Sequence, residues 1–309
     1  MNTRPLESFM SVGIVHFMAF PDCLNGTGPI VETLAHIADD PFFTAVEVGP
    51  IDDAAERRDA AALLKIAGLD VGFGCQPILL AGGHDLNSSD PGTRREALDA
   101  CLRGLDQAVE LGAQQLAVLS GRDPGEPRRK VAVDHLVVSL TELGERCTEA
   151  GLRLCLETFD RDVDKRCLIG PNALAVEVSR RVRERVPTFG LMVDLSHLPL
   201  QGESIRDAIA ATSDHLVHVH IGNCVLNPAD PLYGDQHPRF GYPGGANGVS
   251  ELRAFLETLL EVGYLQADRR APVAFEVKPI PGESASTTIA SSQRTLVRAW
   301  STISGPGVG

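Results

Sequence analysis

Eight short apolar runs recur along this 309-residue chain, and each gives way to a polar loop and then to a segment of helical periodicity. The runs are SVGIVHFMAF (11–20), TAVEVGP (44–50), LDVGFGCQP (69–77), QLAVLSG (115–121), LRLCLETF (152–159), FGLMVDLS (189–196), LVHVHIGN (216–223) and PVAFEVKP (272–279). Helices are expected between them at about 28–40, 53–68, 93–112, 128–150, 171–186, 204–213, 248–263 and 285–300. Strands that stay apolar along their length are those covered on both faces, and eight such strand–helix units are what a closed parallel barrel requires. The expected fold class is therefore α/β, a single (β/α)8 barrel over residues 1–300. The small, Gly-rich tail STISGPGVG at 301–309 is expected to fray.

Charge and cysteine usage narrow the partners. The net charge of −13 repels phosphate backbones and anionic membrane surfaces. The densest basic run, RRVRER at 180–185, alternates with Val and Glu and reads as a solvated helix face. The seven cysteines are odd in number and lack CxxC or zinc spacing, as expected for reduced thiols in a cytoplasmic chain. The opening MNTRPLESFM has no apolar signal core, and no apolar stretch reaches the ~20 residues that span a bilayer. Neither nucleic acid nor membrane is an expected partner.

Active sites of such barrels lie at the C-terminal ends of the strands. Those ends carry Glu47 on the second strand, Glu157 on the fifth, Asp194 and His197 on the sixth, His218 and His220 on the seventh, and Glu276 on the eighth. His218 and His220 point to one face of their strand. His220 lies nearer the end and belongs to the site, and His218 is expected one layer beneath it. Glu157, Asp194, His220 and Glu276 then bring three carboxylates and one imidazole together. Carboxylates so placed raise one another's pKa unless a cation neutralises them. One divalent ion per chain is the economical explanation, with Mn2+ or Mg2+ suited to the oxygen-rich set and Co2+, Ni2+ or Fe2+ left open.

Around this set, His197 sits past its strand end, close enough to touch substrate or complete the coordination. Glu47 reads as an acceptor behind the ligands or as a contact to a substrate hydroxyl. His84 in AGGHD is a further substrate-side candidate, and His16 reads as a satisfied histidine of the first strand, inside the barrel. The long connection GNCVLNPADPLYGDQHPRFGYPGGAN (222–247) is of a length that usually serves function. Within it Asp235, His237 and Arg239 alternate, so an extended loop would face all three one way, with His237 as an acid or base and Asp235 and Arg239 toward substrate.

The motifs LETFD, VDLSH, HVHIGN and FEVKP, in this order and over nearly the whole chain, resemble the xylose-isomerase-like TIM barrels. The resemblance implies that Glu157, Asp194, His220 and Glu276 bind the metal, with His197 beside it. It also implies chemistry in which the metal polarises a sugar carbonyl and a carboxylate or imidazole removes the neighbouring proton. The family's nuclease branch carries additional histidines on the third and fourth strands, and QLAVLSG has none. The segments GIVHFMAFP, GDQHPRFG and FEVKP are most similar to catalytic α-subunits of C-glycoside deglycosidases, which pair with a small β-rich subunit. That likeness implies a carbon–carbon lyase on 3-oxo-C-glycosides, with Glu157, Asp194, His220 and Glu276 holding Mn2+ and His197 or His237 moving protons. The alternative is a metal-dependent sugar isomerase or keto-sugar 3-epimerase, in which Glu157 and Glu276 each exchange a proton with one face of the sugar.

Overall fold

The computed structural model describes residues 5–303. Eight strands form one parallel sheet: β1 Met10–Ile14, β2 Ala45–Val48, β3 Asp70–Gly74, β4 Gln115–Val118, β5 Arg153–Glu157, β6 Gly190–Asp194, β7 Leu216–Gly222 and β8 Ala271–Glu276. Each is followed by a main helix: α1 Ile30–Ala38, α2 Ala54–Ala67, α3 Pro91–Glu110, α4 Arg129–Glu149, α5 Asn172–Arg183, α6 Ile205–Thr212, α7 Val249–Glu261 and α8 Ala285–Thr302. The strand order β1-β8-β7-β6-β5-β4-β3-β2 closes on itself where Val15 bridges Glu47 and the Thr44 amide donates to the Val12 carbonyl. This is the expected (β/α)8 barrel.

Local chemistry fixes several helix starts. Asp53 caps α2 by accepting from the Ala55 and Glu56 amides at 2.8 Å each, and Asp90, just before Pro91, caps α3 through the Thr93 amide at 2.7 Å. Arg181 and Arg185 of the basic run pair with Asp134 and Glu145, so the run is a solvated face between neighbouring helices. All seven cysteines are buried and unbridged, and no helix among the described residues is long and apolar enough to cross a membrane.

The strands conceal a period of two beneath their apolar appearance. Leu154 and Leu156, Leu191 and Val193, Val219 and Ile221, and Val273 and Phe275 belong to the main hydrophobic core that the helices cover. The alternate residues Cys155 and Glu157, Met192 and Asp194, His218 and His220, and Ala274 and Glu276 therefore face the barrel axis. On β1 to β4 the axial positions include Gly13, Ala45, Gly72, Gly74 and Ala117, small residues that leave room inside. The space goes to the side chains of β5 to β8 and to Glu47 of β2.

Some expected boundaries shift. The first apolar run is a strand only to Ile14, because His16–Ala19 turn into a short helix, so His16 lies above the strand rather than in it. Two more short helices, Gln76–Gly82 and His197–Gln201, occupy the ends of the third and sixth runs. The last helix runs through Thr302, past the expected start of the tail, and residues 304–309 lie outside the described residues.

His16 is buried, and its Nε2 meets the Thr33 hydroxyl at 2.8 Å. Burial lowers its pKa from 6.5 to about 4. The unfolded chain binds a proton below pH 6.5 that the fold resists, so this stability is complete above pH 6.5 and is lost as the pH falls toward 4. The expected loss is about 3 kcal/mol, and His16→Gln should flatten the fall of unfolding free energy between pH 6.5 and 4.5 in urea titrations. Parallel profiles for the two proteins would contradict this.

Candidate metal centre

Glu157, Asp194 and Glu276 close β5, β6 and β8, His220 lies two residues before the end of β7, and the four converge, with one ligand atom from each lying within 4.8 Å of the others. His220 Nδ1 is 2.7 Å from Glu276 Oε2 and 3.4 Å from Glu157 Oε1. Asp194 Oδ1 accepts from the Ser196 amide at 2.6 Å, which turns Oδ2 toward the cluster. Gly222 makes the convergence possible, since a methyl group there would sit 2.6 Å from the Glu276 carbonyl and 3.1 Å from His237 Nδ1.

A second cluster shares Asp194. His197 Nδ1 lies 2.7 Å from the Thr158 carbonyl, to which it can only donate, so in the neutral ring Nε2 is left as an acceptor. Nε2 faces Asp235 Oδ1 at 3.1 Å, and His237 Nε2 lies 2.8 Å from the same oxygen. The Phe159 ring packs on the His197 ring with centroids 4.4 Å apart. Asp194, His197 and His237 could also hold a cation.

The donor chemistry fits divalent cations. Glu157 Oε1 and Asp194 Oδ2 are buried without a hydrogen-bond partner, and such orphans are costly unless something fills the space among them. Glu276 is pushed up to about 7, first by burial, with His237 and His220 opposing the shift. His237 moves up to about 9: burial works against its charge, and Asp235 and Glu276 outweigh it. Burial also disfavours the Glu47 carboxylate, yet His218 and His220 hold it well below the usual range. The set of oxygens with one or two imidazoles suits Mn2+, Mg2+, Zn2+ or Co2+.

Two loops complete the site. The 222–247 connection is tied down by Asn247, whose side-chain amide donates to the Leu195 and Gly222 carbonyls at 3.1 and 3.0 Å, and whose backbone amide donates to Asn223. In the loop after β5, buried Asp160 accepts from the amides of Val163, Asp164 and Lys165 at 2.6 to 2.8 Å. That turn sets Lys165 Nζ 3.0 Å from Asp235 Oδ2. Lys165, Lys278 and Gln76, none singled out in the sequence, line the cavity of about 190 Å³ onto which Glu157, His220 and Glu276 open. Gln76 donates to Glu157 Oε2 at 2.8 Å. Only the run of turn-forming aspartates in FDRDVDK hinted at such an ordered loop.

The other expected residues divide. Glu47, Glu157, His220, Glu276, Asp235 and His237 all line this cavity. His218 lies beneath, 2.7 Å from Glu47. His84 does not reach the cavity and is half-buried with its ring against Gly82. Arg239 turns away to pair with Glu283 at 2.7 Å. The expected alternation fails because His237 adopts φ 50, a left-handed conformation that re-aims the chain after it.

Several solved structures share this architecture. The IOLI protein with a bound zinc atom superposes with a TM-score of 0.73 at 16% identity, over 96% of this chain and 100% of that one. D-psicose 3-epimerase from Clostridium cellulolyticum H10, solved with D-tagatose, gives 0.65 at 18% identity over 94% and 97%. The 3-keto-D-glucoside 4-epimerase YcjR from E. coli gives 0.64 at 19% identity over 94% and 99%. At these identities the likeness speaks for the fold alone. Residues 37–292 match a family profile as well, and the chain belongs to the xylose isomerase-like TIM barrel family.

Proposed function

We propose that this protein is a divalent-metal-dependent enzyme that exchanges the proton next to a keto-sugar carbonyl, with the outcome of an isomerase or 3-epimerase. The observation that carries the reading is the pair Glu157 and Glu276. Both open on the cavity, both face His220 Nδ1, and they come from strands separated by β6 and β7, so they approach a bound sugar from different directions. A cation held by Glu157, Asp194, His220 and Glu276 supplies electrophilic pull on the carbonyl oxygen. One carboxylate then takes the proton from the adjacent carbon, and the other returns one to the opposite face or to the neighbouring carbon. Lys165 and His237 hold Asp235 in place at the cavity wall. The epimerases among the structural neighbours support a small sugar as substrate.

A second reading, a lyase on 3-oxo-C-glycosides working with a small β-rich subunit, is favoured by one feature. Val15, Phe17, Met18, Leu24 and Leu80 form an apolar wall of the same cavity, which suits an aglycone better than a free ketose. In that reaction the C2–H bond breaks, a C1–C2 double bond forms, and the C1–aglycone bonding pair leaves with the aglycone. The aglycone carbon then takes a proton from His197 or His237. The test is product analysis by NMR on Mn2+-loaded protein with D-fructose, D-tagatose, a 3-keto-D-glucoside and a 3-oxo-C-glycoside. A new epimer or isomer supports the first reading, released aglycone supports the second, and no turnover of any of the four contradicts both.

A further inference from the structure

We propose that Glu47 is a positioning residue that fixes the tautomer of His220, so that Nδ1 alone is offered to the cation and Nε2 keeps its proton. The inference rests on the metal-dependent reading above and deepens it. The two nitrogens of His220 face different neighbours. Nδ1 looks at Glu276 and Glu157, whereas Nε2 lies 2.9 and 3.1 Å from the two oxygens of Glu47. A carboxylate only accepts, so the nitrogen facing Glu47 carries a hydrogen; Nδ1 sits among the carboxylates that would share a cation with it and is the nitrogen that would give up its own hydrogen to the ion, while Glu47 keeps the proton on Nε2.

Glu47 is itself held in a particular way. Its Oε1 also takes a hydrogen bond from His218 Nε2 at 2.7 Å, and the His218 and His220 rings stand at 89° with centroids 5.1 Å apart. The two histidines share one strand face two residues apart, so a single carboxylate from β2, across the barrel, can bind both. A well of about 210 Å³ rises from the opposite end of the barrel past Ser11, Gly13 and Ala45 and ends at Glu47 and His218. Gly72, paired with Glu47 in the sheet, leaves the space that the carboxylate stem fills, since a methyl group there would be 3.0 Å from Glu47 Cγ. The pair of imidazoles, with the room left at Gly72, sets where Glu47 stands.

The test loads 15N-histidine-labelled protein with Zn2+ and records long-range 1H–15N spectra of the imidazoles, together with Zn2+ affinity by competition with a chelator. His220 should show a protonated Nε2 and a metal-shifted Nδ1. Glu47→Gln should lose on the order of 10- to 100-fold in Zn2+ affinity while keeping its circular dichroism spectrum. A wild-type protein that fails to bind Zn2+ would overturn the metal reading itself. A wild-type protein that binds through His220 Nε2, or a folded Glu47→Gln variant that binds as tightly as wild type, would overturn the role of Glu47 and leave the metal reading standing. Should Glu47→Gln fail to fold, the wild-type spectrum alone decides between the two nitrogens.

Discussion

Glu157→Gln lowers proton exchange at saturating metal by on the order of 10³-fold, the loss expected when a general base becomes an amide that cannot take a proton. Glu157 is buried, its Oε2 is held by Gln76 and its Oε1 has no partner. The substitution keeps the shape and the Gln76 contact but removes both the charge and the basicity. Metal content measured alongside the rate separates the two effects. If the variant keeps its metal and its rate, Glu157 is not a proton carrier and the pairing with Glu276 fails.

Asp194→Asn should release metal more completely than any substitution behind the ligands, by more than the ~10- to 100-fold expected of a supporting residue. Asp194 is the residue common to both clusters, facing the Glu157, His220 and Glu276 set and the His197 and His237 set. Its Oδ1 is already engaged by the Ser196 amide, so Oδ2 is the oxygen available for an ion. The buried imidazoles of His197, His237 and His220 hold the carboxylate below its usual range against the cost of burial, so it stays ionised and ready to bind. Equilibrium dialysis with Mn2+ reads the result. Retention of wild-type affinity would mean that the convergence at the strand ends does not serve a cation.

The barrel was legible because eight apolar runs at regular spacing admit few other closed arrangements, and the convergence at its mouth was legible for a related reason. Glu157, Asp194 and Glu276 end their strands and His220 lies near the end of its own, all four on inward-facing positions, and the period of two carries each to the axis whatever the surrounding loops do. What the strands do not determine was not legible. Arg239 faces away because the left-handed backbone at His237 breaks an alternation that holds only in extended chain. His84 was placed near the site by its loop, but the short helix Gln76–Gly82 ends before bringing it there. Lys165 enters the cavity through a turn built on three backbone hydrogen bonds to Asp160, a device that no periodicity announces.

The two histidines of β7 show the same division. Their spacing placed both on one face, and a layered arrangement followed from it. That a glutamate from the far side of the barrel binds both depends on Gly72 being small, which becomes meaningful only once β2 and β3 are seen in register. The asymmetry between mostly small axial residues on β1 to β4, Glu47 apart, and larger polar ones on β5 to β8 is a property of the closed barrel and of no single segment.

The most direct measurement is solvent-deuterium incorporation into D-tagatose, D-fructose and a 3-keto-D-glucoside, followed by NMR with Mn2+-loaded protein and again after chelation. The account predicts deuterium at the carbon next to the carbonyl of at least one of these sugars, abolished by the chelator and restored by added Mn2+. Incorporation that persists undiminished in the metal-stripped protein, or no incorporation in any of them with metal bound, would contradict it.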